Sequence, residues 1–190
     1  MINGKSQEAL LQCIRGGKFM KNLVIFYSRR GQNYVNGSVK NLSKGNAELI
    51  TGFISNAVDA DVFEVDTVKP YDQDYMVCIE EAKAELRAKA RPELKEYLKS
   101  VDAYDNIFIV GPNWWGIYPM AIYNQLEKLD FTGKTVHYVV THEGSGLGGV
   151  PKTMKKACKG AKICESLAVH GGSAPSSEAK VANWARKAVG

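Results

Sequence analysis

The sequence predicts an α/β domain in which a parallel sheet is covered by helices on both faces. Two features point there. From Leu23 onward, short apolar runs alternate with amphipathic stretches, the rhythm of strand–helix–strand units. The main runs are continuously apolar rather than alternating, as strands buried on both faces require. With 190 residues, 45% hydrophobic and 24% charged, the chain can build one sizeable core and not two.

Five strands are expected. Leu23-Val24-Ile25-Phe26-Tyr27 is the first, and Asp61-Val62-Phe63-Glu64-Val65 is a second of edge character, because its alternation leaves Glu64 to water. Asn106-Ile107-Phe108-Ile109-Val110 is the third, residues 135–140 the fourth, and residues 163–169 the fifth and weakest. Helices fill the gaps. Ala47 to Val58 carries Leu49, Ile50, Phe53, Ile54 and Ala57 on one stripe. Asp72 to Ala90 opens on an acidic turn, which suits the helix dipole. Met120 to Leu129, Pro151 to Lys159 and Ser177 to Val189 complete the set, with Pro119 and Pro151 where a first turn tolerates proline. Residues 1–21 show neither periodicity nor strong caps. They are expected to form an extension, leaving residues 22–190 as the domain.

In an open parallel sheet, ligands bind beyond the carboxyl ends of the strands, where the strand order reverses. The loops after strands one, three and four therefore matter most. The first, Ser28-Arg29-Arg30-Gly31-Gln32-Asn33, offers hydroxyl, amide and cationic groups with a glycine for close backbone approach, which suits a phosphate. Alone it reads equally well as a polar turn. The second, Gly111-Pro112-Asn113-Trp114-Trp115-Gly116, sets two tryptophans in a connecting loop. Large aromatics there point to a flat partner, although one of the two is expected to cap the core. The third, Thr141-His142-Glu143-Gly144-Ser145-Gly146-Leu147-Gly148-Gly149, has four glycines that let the backbone approach a ligand closely. Its match to G-x-G-x-x-G follows the fourth strand and not the first, so it carries little weight as a dinucleotide fingerprint. Ser145 lacks the G-x-S-x-G setting of a hydrolase nucleophile.

Composition excludes several classes. The net charge of +5 is split. Residues 1–45 carry +7, residues 46–130 carry −8 and residues 150–190 carry +6. A nucleic-acid binder would show one continuous basic face. No run reaches the roughly 18 apolar residues of a membrane span. Cys13, Cys78, Cys158 and Cys164 form no C-x-x-C pair, and no histidine lies at metal-ligand spacing. Free thiols fit a reducing compartment, so a cytoplasmic protein is expected. Nothing signals an oligomer, and a monomer is the default.

Taken together, the three loops resemble the flavodoxin family, especially its branch with Pro-x-Trp-Trp-Gly and Thr-His-Glu-Gly-Ser-Gly loops. The resemblance runs from Leu23 to the C-terminus. It implies a flavodoxin-like three-layer sandwich, a five-stranded parallel sheet of order 2-1-3-4-5, with FMN at the switch between strands one and three. Ser28, Arg29, Arg30, Gly31, Gln32 and Asn33 would then hold the phosphate. Pro112, Asn113, Trp114, Trp115 and Gly116 would lie along one ring face. Thr141, His142, Glu143, Gly144, Ser145, Gly146, Leu147 and Gly148 would bind the ring edge. Two departures stand out. The family's Ser-x-Thr-Gly-Asn-Thr phosphate loop is altered, with Arg30, Gln32 and Asn33 in place of Thr, Asn and Thr. The third loop carries no aromatic, which leaves stacking on one side only.

The resemblance implies redox chemistry done by the flavin, with no protein residue as catalyst. The function expected is that of a low-potential electron carrier between a donor and an acceptor protein. An FMN-dependent NAD(P)H:quinone-type reductase is the first alternative, and a flavin-free binding module on the same fold the second. A phospho-acceptor receiver is excluded, because Tyr27-Ser28 and Gly111-Pro112 stand where it needs acidic residues.

Overall fold

A parallel sheet of five strands organises the molecule, as the apolar runs require; the computed structural model describes residues 20–190. In chain order the elements are β1 (Asn22–Phe26), β2 (Gly31–Val35), β3 (Ser38–Leu42), α1 (Asn46–Val58) and β4 (Ala60–Glu64). There follow α2 (Tyr75–Ala88), β5 (Asn106–Pro112), α3 (Met120–Leu126), β6 (Thr135–His142), α4 (Val150–Ala157), β7 (Lys162–His170), a 3-10 turn (Gly171–Ser176) and α5 (Glu178–Val189). The large sheet has the order β4-β1-β5-β6-β7, and every pair in it is parallel. Counted among its own strands this is 2-1-3-4-5, as expected. The reversal lies between β1 and β5. The extension expected at residues 1–21 falls, but for Met20 and Lys21, outside the described residues.

The pleat sends alternate residues to opposite faces. Leu23, Ile25, Ile107, Ile109, Val136 and Val140 join a core with Cys78 of α2, Ile122 and Leu126 of α3, and Met154 of α4. Val24, Phe26, Phe108, Val110 and Val139 join a second core with Ile50 and Ile54 of α1 and with Val181 and Ala185 of α5. Helices thus cover both faces. In β5, Ile107, Phe108, Ile109 and Val110 have no exposed surface. Burial stabilises by about 1.5–3 kcal/mol for each such side chain.

Two elements depart most from the expectation, while the helices expected to reach Leu129 and Lys159 end at Leu126 and Ala157. The antiparallel pair β2–β3 is an unforeseen hairpin, inserted between β1 and α1. Its tip is Asn36-Gly37, with φ of 52° and 83°, the left-handed pair that a two-residue hairpin turn demands. The helix expected over Asp72–Ala90 is shorter at both ends. Asp74 is its N-cap, accepting from the Met76 N–H at 2.7 Å and the Val77 N–H at 3.2 Å, which satisfies two otherwise free donors.

His137 of β6 sits in the core, 1% exposed, where the ladder to β7 shifts register. Its ring stacks on Phe108 at 5.1 Å and meets the edge of Trp184. Neither ring nitrogen has a hydrogen-bond partner. Burial, with help from the Lys162 charge, pushes this imidazole down to about 4.

Candidate functional site

The loops after β1, β5 and β6 converge at the carboxyl edge of the sheet, around a cavity of about 130 Å³. A neighbouring cavity of about 240 Å³ opens between α2 and the tryptophan loop. The two share Arg29, Asn33, Tyr75, Asn113 and Trp114.

One end of the first cavity is polar and cationic. Ser28 and Arg29 reach it from β1, and Asn46 and Ala47 from the opening of α1. Gly45, the N-cap of α1, has no side chain to cap the helix. The Ser28 hydroxyl takes over, accepting from the Glu48 N–H at 3.0 Å. This contact requires glycine. A Cβ at Gly45 would lie 2.2 Å from Ser28 Oγ and 2.4 Å from the Arg29 carbonyl oxygen. Gly45→Ala is therefore expected to destabilise the protein by about 2 kcal/mol, lowering the thermal midpoint by roughly 5 °C. An unchanged midpoint in a melting experiment would show that the loop yields freely.

Arg29 is only 8% exposed. Its Nε donates to the Gln32 carbonyl at 2.8 Å and its terminal nitrogen to the Gln73 carbonyl at 2.9 Å. Carbonyls orient a guanidinium without cancelling its charge, and no ion pair to Arg29 occurs among the described residues. A buried cation without a counter-ion suits an anionic ligand.

The rest of the expected phosphate loop is divided by the hairpin. Arg30 pairs with Glu48 at 2.9 Å and Glu64 at 3.0 Å and does not line the cavity. Gly31 and Gln32 belong to β2, and Gln32 Oε1 accepts from the Tyr75 N–H at 2.9 Å. Asn33 does line the cavity, its amide donating to the Arg29 and Gly31 carbonyls. The Gly-Asn pair that opens a helix in the family pattern is found later, as Gly45-Asn46, once the hairpin has returned the chain. That dipeptide ahead of an amphipathic stretch was the available signal.

The tryptophan loop makes the opposite wall. Trp114 and Ile117 exchange backbone hydrogen bonds across a tight turn, with Trp115 at φ 54° and Gly116 at φ 90°. The two indoles divide their labour. Trp114 lines both cavities and packs edge-on against Tyr27 at 5.3 Å and Tyr71 at 5.0 Å. Trp115 is 47% exposed at the rim. Its indole N–H donates to the Ile79 carbonyl at 2.9 Å, and Lys83 lies 4.9 Å above its ring.

Of the third loop, Thr141, His142 and Glu143 line the cavity, with Pro112 and Asn113 beside them. Gly144, Ser145, Gly146, Leu147 and Gly148 do not. Instead they brace the tryptophan turn. The Asn113 amide donates to the Gly146 carbonyl at 3.2 Å, and the Gly149 N–H to the Gly116 carbonyl at 2.6 Å. Burial and the His170 ring hold the His142 imidazole below its usual range, so it is neutral at pH 7. Its Nδ1 accepts from the Gly144 N–H at 3.0 Å, which leaves the proton on Nε2. Glu143 Oε2 accepts from the Asn36 N–H at 2.9 Å and faces His170 Nε2 at 3.6 Å. Glu143 Oε1 is buried, with no hydrogen-bond partner among the described residues. Tyr34, Asn46, Ala47, Tyr75 and Gly171 also line the cavity, unforeseen. Among the described residues no helix is long and apolar enough to cross a membrane.

The comparisons with known proteins agree with the fold. No curated protein sequence matches the chain. Flavoprotein candidates from Bacteroides uniformis and Bacteroides eggerthii share the fold, at 25% and 22% identity with TM-scores of 0.67 and 0.68. They cover 88% and 90% of this chain and 98% of their own. A Lactobacillus acidophilus flavoprotein, solved in complex with FMN, is 17% identical with a TM-score of 0.59, over 85% of this chain and 97% of that one. The flavodoxin profile matches residues 18–188, so the chain belongs to the flavodoxin family.

Proposed function

We propose that the protein binds FMN in the cavity at the sheet edge and acts as a one-electron carrier. One observation carries the reading. A buried Arg29 without an ion pair among the described residues and the opening of α1 at Asn46 and Ala47 stand in the same cavity as the Trp114 indole. A phosphate suits the first two and a planar ring the third.

Ser28, Arg29 and the N–H groups opening α1 are the phosphate holders, by hydroxyl, guanidinium and helix dipole respectively. Trp114 and Asn113 bound the ring. Glu143 lies at the ring edge, where its negative charge opposes added electrons, which lowers the potential. FMN, when bound, supplies the redox chemistry. Electrons pass to and from partner proteins at the open rim, where Trp115 is exposed.

The test is direct. The purified protein is expected to take up FMN, and a potentiometric titration to resolve two one-electron steps. A single two-electron step would refute the carrier. The neighbouring cavity, with Ile79, Ala82 and Trp115 on its walls, favours a second reading, because it gives a planar acceptor room beside the ring. Turnover of NADH or NADPH with a quinone, without added reductase, would identify a reductase.

A further inference from the structure

The inserted hairpin does more than interrupt the phosphate-binding segment. It borders the cavity through Asn33 and Tyr34 and is fastened at both ends. At its base, Gln32 accepts from Arg29 through its carbonyl at 2.8 Å and from the Tyr75 N–H through its side chain at 2.9 Å. At its tip, the Asn36 N–H donates to Glu143 Oε2 at 2.9 Å, beyond the end of β6. The Asn36 amide also fills a notch beyond the end of β7. A Cβ at Gly172 would lie 2.0 Å from Asn36 Oδ1. A strand tethered at two points presents the residue between them in a fixed place.

That residue is Tyr34. It lines the same cavity as Trp114. Its ring stacks on Tyr75 at 6.1 Å, with 20° between the planes, and it is still 43% exposed. An aromatic held by a neighbour and left open at a cavity is ready for a flat ligand. The third loop, Thr141 to Gly149, has no aromatic to fill that role.

We propose that the β2–β3 hairpin is a clasp over the cofactor cavity and that Tyr34 supplies its second aromatic surface, in place of a third-loop aromatic. This rests on the reading of the cavity as an FMN site. Asn36 and Gly172 act as positioning residues, because they hold the clasp and touch no ligand themselves.

The test is titration of the apo-protein with FMN, followed by flavin fluorescence, for wild type, Tyr34→Ala, Tyr34→Phe and Gly172→Ala. Wild type is expected to quench the flavin. Tyr34→Ala is expected to bind about tenfold more weakly and to leave the bound flavin brighter, the usual scale for loss of one stacking ring. Tyr34→Phe keeps the ring and is expected to stay within about twofold of wild type. Gly172→Ala pushes Asn36 out of its notch and is expected to mimic Tyr34→Ala in part, with Tyr34 intact. If wild type binds FMN and Tyr34→Ala binds equally well with equal quenching, the clasp is overturned and the cofactor site stands. If wild type takes up no FMN, both fall.

Discussion

Replacing Arg29 with methionine is expected to weaken FMN binding about a hundredfold, with riboflavin binding almost unchanged. Methionine keeps much of the buried stem and removes the charge. Arg29 is 8% exposed, and among the described residues its guanidinium has only the Gln32 and Gln73 carbonyls as partners. Its positive charge is therefore free to meet a dianionic phosphate. Hydrogen bonds to charged groups contribute about 1.5–3 kcal/mol each, and a hundredfold corresponds to about 2.7 kcal/mol. Riboflavin has the ring and lacks the phosphate, so it reports the rest of the cavity. The same change strips two carbonyls of a donor, so thermal unfolding of the apo-protein is expected to show a loss of about 1–2 kcal/mol. Equal loss of affinity for the two ligands would make Arg29 scaffold alone.

The second large effect concerns acid stability and His137. An unfolded imidazole takes up its proton near pH 6.5, and the buried one near 4. Between those values the unfolded state binds more protons, so stability is complete above that window and falls as the pH drops through it. The shift corresponds to at most about 3 kcal/mol. His137→Phe keeps a ring against Phe108 and removes the titration. It also removes two nitrogens buried without partners, each costly to bury unbonded. The variant is expected to match or exceed wild type near neutrality and to lose much less stability on acidification. Urea unfolding of both proteins across this range measures the difference. Parallel curves would mean that His137 gains a partner when protonated.

The sheet was legible because β1, β5 and β6 are buried on both faces, and β1 and β5 are therefore written as apolar runs, with only His137 interrupting the one in β6. Its strand order came from the three loops together and not from any strand. The hairpin escaped because it is a two-stranded ribbon with almost no core. Val35 is its one buried residue, and Gln32, Asn33, Lys40 and Asn41 give no alternation. Asn36-Gly37 was its only local mark. Missing it hid part of the cavity wall, since Asn46 and Ala47 reach the cavity only after the chain has left and come back. Arg29 and Arg30 illustrate a second limit. Neighbours on extended chain point to opposite sides, so one faces the cavity and the other the surface carboxylates Glu48 and Glu64. Trp114 and Glu143 were legible because their loops end central strands. Tyr75 was not, because it reaches the cavity from the start of α2, and no spacing along the chain reveals that meeting.

Gly31 and Leu42 face each other as the outermost register partners of the hairpin. The chain therefore departs and rejoins at one place, and the stretch beyond Gln32 and Asn33, the two hairpin residues bonded to Arg29, can change in length without moving Arg29 relative to Gly45. On the proposed reading, gripping the phosphate and covering the ring thereby fall to separate stretches of sequence. The second could be rebuilt, at the expense of the Tyr34 contact, while the first stays as it is.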